Sequence, residues 1–126
     1  MIFIFGGAYQ GKLDFALERF GSDKTVFRCP ADGAPEPDFD ADIIYGYHEL
    51  VLALIRAGLD PCEYTRSTLN TLDGKIVVCD DISSGVVPID PEMRAWREAA
   101  GRCSAILAAR SKSVYRVFCG IGTQIK

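Results

Sequence analysis

The stretch Met1–Lys12, MIFIFGGAYQGK, decides how the rest of the chain is read. A short apolar run, Ile2–Phe5, meets a glycine-rich turn that closes on Gly11-Lys12, and a helical pattern follows at once. That order suits a phosphate-binding loop. A buried parallel strand brings the chain to a sheet edge, glycines let backbone N–H groups converge on an anion, and a lysine neutralises it. A helix N-terminus then adds its positive end. Gly6, Gly11 and Lys12 match G-x-x-x-x-G-K-[ST], while Leu13 stands where a hydroxyl would hold Mg²⁺. The candidate phosphate cradle is therefore Gly6, Gly7, Ala8, Tyr9, Gln10, Gly11, Lys12 and Leu13, with N–H groups from Gly7 to Lys12 facing the phosphates.

Outward from this loop, apolar runs and helical patterns alternate. Lys12–Phe20 reads as a helix with Phe15, Ala16 and Phe20 inward, ended by Gly21. Lys24–Arg28 and Ala41–Tyr45 read as strands. Between them Cys29–Asp40 reads as a loop, since Pro30, Gly33, Pro35 and Pro37 forbid regular structure. Glu49–Ala57 has helical periodicity. Asp60-Pro61 and Asp90-Pro91 are N-cap and first-turn signatures that open helices to about Leu72 and Arg110. Met93, Trp96, Ala100, Cys103 and Leu107 form a core stripe on the second of these. Arg94, Arg97, Arg102 and Arg110 read as its solvated face and last turn. Lys75–Cys79 reads as a strand buried on both faces, Ile82–Ile89 as a loop, and Val114–Cys119 as the last long strand. Gly120–Gly122 reads as a tight turn and Thr123–Lys126 as an edge strand. The alternation predicts the α/β class with a largely parallel sheet and one domain over residues 1–126, with ligands at the carboxyl ends of the strands. Several strand-end segments should share one rim.

The chain has 126 residues and a formal charge of −3, which argues against nucleic acid as a main partner. No apolar run approaches the ~20 residues needed to span a bilayer, and the N-terminus lacks the basic leader of a signal peptide. These features predict a cytoplasmic protein. The five cysteines include no CxxC pair, so a disulfide framework or zinc ribbon is not expected. Cys79 and Cys119, at the ends of apolar runs, should behave as small buried hydrophobes.

Asp80-Asp81 end an apolar strand, as the carboxylate of a Walker-B segment does, and Asp80 is the candidate metal ligand. A strand-end turn or cap explains the pair equally well. Adjacent strand residues point to opposite faces, so at most one faces the phosphates. Lys12, Asp80 and Asp81 are the candidate catalytic residues. His48, the only histidine, reads as a surface or capping residue at a helix start.

The two ends of the chain together resemble the bifunctional adenosylcobinamide kinase / adenosylcobinamide-phosphate guanylyltransferase family. MIFIFGGAYQGK is similar to its opening strand and GGxxxGKS loop. Gly85-Val86-Val87-Pro88 resembles its G-[IV]-V-P segment, and Ala100-Gly101-Arg102 its A-G-R. Gly120-Ile121-Gly122 with Ile125-Lys126 resembles its S-G-I-G-x-x-I-K close. The resemblance implies a P-loop NTPase-like (RecA-like) fold, GTP or ATP with Mg²⁺, a corrinoid substrate and often a homotrimer. It also implies phosphorylation of a cobinamide hydroxyl, followed by GMP attachment through a guanylylated histidine. The chain departs from the family at Leu13 and near Tyr45-Gly46, where the family has an acidic residue. Asp80-Asp81 stand in place of an Asn-Glu pair, and His48 lies too late to match the guanylylated histidine. Three readings follow: a kinase or nucleotidyltransferase, a phosphate-holding module without turnover, or a structural subunit whose pocket Tyr9, Gln10 or Leu13 fills.

Overall fold

The computed structural model describes every residue except Ala31, Gly33, Ala34 and Ser84. The loop assignments at Gly33 and at Ser84 therefore lie outside the described residues. The described residues form strands β1 (Ile2–Gly6), β2 (Val26–Arg28), β3 (Ile43–Tyr45), β4 (Ile76–Asp80), β5 (Ser113–Phe118) and β6 (Ile121–Gln124). Helices are α1 (Lys12–Phe20), α2 (Tyr47–Arg56), α3 (Pro61–Leu72) and α4 (Pro91–Arg110). The strand order is β2-β3-β4-β1-β5-β6, with every pair parallel except the β5–β6 hairpin. This is the α/β, P-loop NTPase-like architecture, a mostly parallel sheet flanked by helices.

The two-residue period of the strands sorts the core into two layers. Phe3, Ile44, Val77 and Val114 face α2, α3 and α4, where they meet Val51, Leu54, Leu72, Ala100, Cys103 and Leu107. Ile4, Ile43, Ile76, Val78, Tyr115 and Val117 face the other way and are covered by Ala16, Leu13, Phe15 and Phe20 of α1. Each fully buried branched side chain contributes about 1.5–3 kcal/mol relative to its exposed state. Both faces of β4 are thus buried, and its Ile-Val-Val run needs no polar alternation.

Two details differ from the sequence expectation. The turn before β6 is Cys119-Gly120, not Gly120–Gly122, because Phe118 pairs with Ile121. Both turn residues have positive φ, 52° and 76°, as a two-residue hairpin on twisted strands requires. Cys119 is consequently exposed and not a buried hydrophobe, whereas Cys79 is 2 % exposed. The edge strand accordingly starts at Ile121.

Candidate functional site

The C-terminal ends of β1, β2, β3 and β4 open into one cleft of about 640 Å³. Its lining includes Ala8, Tyr9, Gly11, Lys12, Leu13 and Asp14 after β1, and Arg28 and Cys29 from the end of β2. Tyr45, Gly46, His48 and Glu49 follow from β3, and Asp80 from β4. Parallel pairing makes this convergence unavoidable, because all four carboxyl ends lie on one edge.

The loop leaves β1 at Gly6, where a Cβ would sit 2.3 Å from the Val117 carbonyl oxygen. Only glycine lets β1 approach β5 so closely. Gln10 anchors the far side of the loop. Its backbone oxygen accepts from Gly120 N–H at 2.8 Å and its Oε1 accepts from Cys119 N–H at 2.7 Å. Gly11, at φ 85°, then caps α1 without any side-chain hydrogen bond. Among the described residues, no backbone N–H from Gly7 to Asp14 donates to a protein acceptor. Tyr9 stands fully in solvent at φ 60°, so it does not fill the loop. Leu13 packs partly into the α1-side core.

Lys12 is 4 % exposed although it lies at the first turn of a helix. Its Nζ donates to the Gly7 carbonyl at 2.6 Å and pairs with Asp80 Oδ1 at 2.6 Å. Asp80 is opposite Gly6 in the β1–β4 ladder. Strand parity explains why Asp80 and not its neighbour is there. Ile76 and Val78 face α1, so Asp80 faces α1 as well. Asp81 points elsewhere. Its N–H donates to the Gly6 carbonyl at 2.8 Å, and its Oδ1 accepts from Ser83 N–H at 3.1 Å and Ser83 Oγ at 2.8 Å. It lines a second hollow of about 120 Å³ with Phe5, Ser83 and Ser104, which Asp80 also borders.

His48, expected at the surface, is instead 8 % exposed and belongs to the cleft. Gly46, at φ 82°, turns the chain from β3 into α2 and aims His48 at Asp80. Its Nδ1 accepts the Asp80 backbone N–H at 3.1 Å. The neutral ring therefore carries its proton on Nε2, which lies 3.4 Å from both Asp80 Oδ2 and Glu49 Oε1. The Trp96 indole donates to the His48 carbonyl at 2.7 Å and fixes the helix start from α4. Burial drives the His48 pKa below its ordinary value and outweighs the opposing pull of Asp80 and Glu49; Lys12 adds to the lowering. Burial likewise pushes Cys29 and Cys79 up to about 12, which leaves them as inert thiols.

Lys12 and Arg28 line the cleft against Asp14, Glu49 and Asp80, so the walls carry one more negative than positive charge. An anion is thus attracted by the loop amides and by the positive end of α1, not by a net basic wall. Among the described residues, no group of three or more His, Cys, Asp or Glu is arranged to hold a metal ion. None of their helices is long and apolar enough to cross a membrane.

The sequence reading grouped Lys12, Gly6–Leu13 and Asp80, and missed His48, Glu49 and Arg28. Strand parity would have selected Asp80. No local signal marks His48, because the glycine cap before it has no side-chain signature. A search of curated proteins finds no match to the chain. A family model described as cobinamide kinase / cobinamide phosphate guanyltransferase matches residues 60–125, just over half of the sequence. The matched stretch holds Asp80, the segment at Val86–Pro88 and the closing hairpin, and excludes the glycine loop and His48. The chain belongs to the cobinamide kinase / cobinamide phosphate guanyltransferase family.

Proposed function

We propose that the cleft binds the phosphates of GTP or ATP and that the protein transfers a phosphoryl group to a hydroxyl of a cobinamide-type corrinoid. One observation carries this reading. An unbroken run of backbone N–H groups from Gly7 to Asp14, free of protein acceptors among the described residues, surrounds a buried lysine at a helix start. Such a run stabilises a multiply charged phosphate through backbone dipoles. Lys12 supplies the positive charge once the phosphate displaces Asp80 from it. Asp80 and Glu49 are carboxylates of the cleft wall that can take the hydroxyl proton. When Mg²⁺ is bound, Asp80 would hold it alongside the phosphates, and the ion supplies positive charge to the transferring group.

Guanylyl transfer through His48 is not part of this proposal. Nδ1 is engaged by the Asp80 N–H and Nε2 carries the proton, so the neutral ring offers no free lone pair to phosphorus. We further propose that residues 1–126 act as one nucleotide-binding domain in the cytoplasm, and that the protein assembles as the homotrimer implied by the family resemblance.

Calorimetry with GTP and ATP, with and without Mg²⁺, tests the binding. Turnover of adenosylcobinamide, followed as the phosphorylated product, tests the chemistry. Binding that falls at least about tenfold in Lys12→Ala is expected. No binding of either nucleotide, with or without Mg²⁺, overturns the proposal.

A second reading has its own observations. Leu13 withholds the hydroxyl ligand, and Asp80 neutralises Lys12 directly. In that reading the cleft holds a phosphate and turns nothing over. It predicts binding that survives EDTA, with no product from any corrinoid.

A further inference from the structure

The glycine loop is held from the side away from the cleft. The Cys119-Gly120 turn lies beyond the last pair of the β5–β6 ladder, Phe118 with Ile121, so the ladder gives its two N–H groups no partner. Both go to Gln10. Gly120 N–H donates to the Gln10 main-chain oxygen at 2.8 Å, and Cys119 N–H donates to Gln10 Oε1 at 2.7 Å. Loop and turn also approach closely, since a Cβ on Gly11 would stand 3.3 Å from the Gly120 Cα. Gln10 is half-buried in this contact, whereas Gly7, Ala8 and Tyr9 are exposed.

A trans peptide points its C=O and the following N–H in opposite directions. Fixing the Gln10 oxygen on the turn therefore aims the Gly11 N–H away from the hairpin. In the sheet, β5 and β6 lie on one side of β1 and β4 on the other. Away from the hairpin is thus toward the β4 side, where Gly11 lines the cleft with Asp80. One bond to the main-chain oxygen leaves this peptide plane free to rock. The second bond, through the side chain of the same residue, fixes its tilt. The side-chain acceptor is a neutral amide. A carboxylate there would hold the N–H more strongly, but it would set a negative charge beside a multiply charged phosphate.

We propose that Gln10 is a positioning residue, whose two carbonyl oxygens grip the Cys119-Gly120 turn and pre-set the Gly11 N–H toward the phosphate. The C-terminal hairpin is thereby part of the phosphate site, and the Gln10 side chain serves the turn and not the anion. This rests on the cleft being the nucleotide site.

The test uses the full chain labelled with ¹⁵N and two variants. Gln10→Met keeps the side-chain length and removes the carbonyl; Gln10→Glu keeps an acceptor and adds the charge. Amide exchange at Cys119 is followed by NMR, and GTP affinity by calorimetry. In the unaltered chain the Cys119 N–H should exchange at least about tenfold more slowly than an unbonded amide. In Gln10→Met that protection should vanish, the Gly11 amide resonance should move in the free protein, and GTP affinity should fall about fivefold. In Gln10→Glu the protection should return, and the affinity deficit against the unaltered chain should shrink as KCl is raised, because only the added charge is left to screen. Asp90→Ala, at the capped start of α4, controls for a general loss of stability and should leave GTP affinity unchanged. An unprotected Cys119 N–H in the unaltered chain overturns the inference, as does Gln10→Met binding GTP within about twofold of it. A Gln10→Glu deficit that ignores salt overturns it too. Each of these leaves the nucleotide reading standing. A protected Cys119 N–H in a chain that binds neither GTP nor ATP overturns the nucleotide reading instead.

Discussion

The helices begin in two ways. α3 and α4 each start with an aspartate whose carboxylate accepts first-turn N–H groups, followed by proline. α1 and α2 each start at a left-handed glycine, Gly11 or Gly46, with no side-chain cap. The capped pair is closed by its own sequence, and its first-turn donors are spent locally. The uncapped pair follows β1 and β3 directly, and both starts line the cleft. A glycine at the N-cap in place of an aspartate forgoes only roughly a few tenths of a kcal/mol per helix. The contrast teaches that this fold closes helices where they are structural and leaves them open where the sheet rim gathers its polar groups.

The strongest way to break the contrast is to block the open start at its root. Gly6→Ala places a Cβ 2.3 Å from the Val117 carbonyl oxygen. Overpacking of that kind is expected to lower stability by about 3 kcal/mol and to disorder the loop, read by urea denaturation. Gly11→Ala forces an L side chain into φ 85° against Gly120. A cost of about 1–2 kcal/mol is expected, together with weaker GTP binding.

Asp80→Asn sharpens the comparison through a sign. If the loop alone holds the phosphate, removing the charge that ties up Lys12 should raise metal-free GTP affinity by roughly tenfold. If a divalent ion held by Asp80 is required, Mg²⁺-dependent affinity should fall by a similar factor. Calorimetry in EDTA and in Mg²⁺ separates the two. Asp60→Ala and Asp90→Ala are the control on the closed starts. Each should cost about 1 kcal/mol of stability and leave GTP affinity unchanged.

The smallest expected effect is on pH. The folded His48 pKa lies below its ordinary value, chiefly through burial. Its contribution to stability is complete above about pH 6.5 and is lost as pH falls through the lower folded value. Urea midpoints should therefore decline on acidification. His48→Asn, which keeps an acceptor near the Asp80 N–H, should reduce that slope.

The order of strands and helices was legible because apolar runs and caps mark them separately. α1 runs over Lys12–Phe20 as its periodicity indicated, and α3 and α4 begin at their Asp-Pro signatures. The class and the shared rim follow from strand–helix alternation. The glycine loop was legible as a motif because its residue types are fixed by backbone geometry. The rest of the cleft was not. α2 begins two residues before its expected start because Gly46, not a polar cap, opens it. His48 reaches Asp80 only through pairing between β3 and β4, which no local pattern encodes. Arg28 meets the Tyr45 ring only because β2 pairs with β3, which no local pattern encodes. Cys119 was misjudged because an apolar run does not say where a hairpin turns.

The central claim is that amides from Gly7 to Asp14 hold a phosphate that the capped helices cannot hold. Amide chemical shifts during titration with GTP test it most directly. The account predicts large movements over Gly7–Asp14 and none in the first turns of α3 and α4, at residues 62–64 and 92–94. Still loop amides at saturating GTP, or shifts of equal size at all four helix starts, would contradict it.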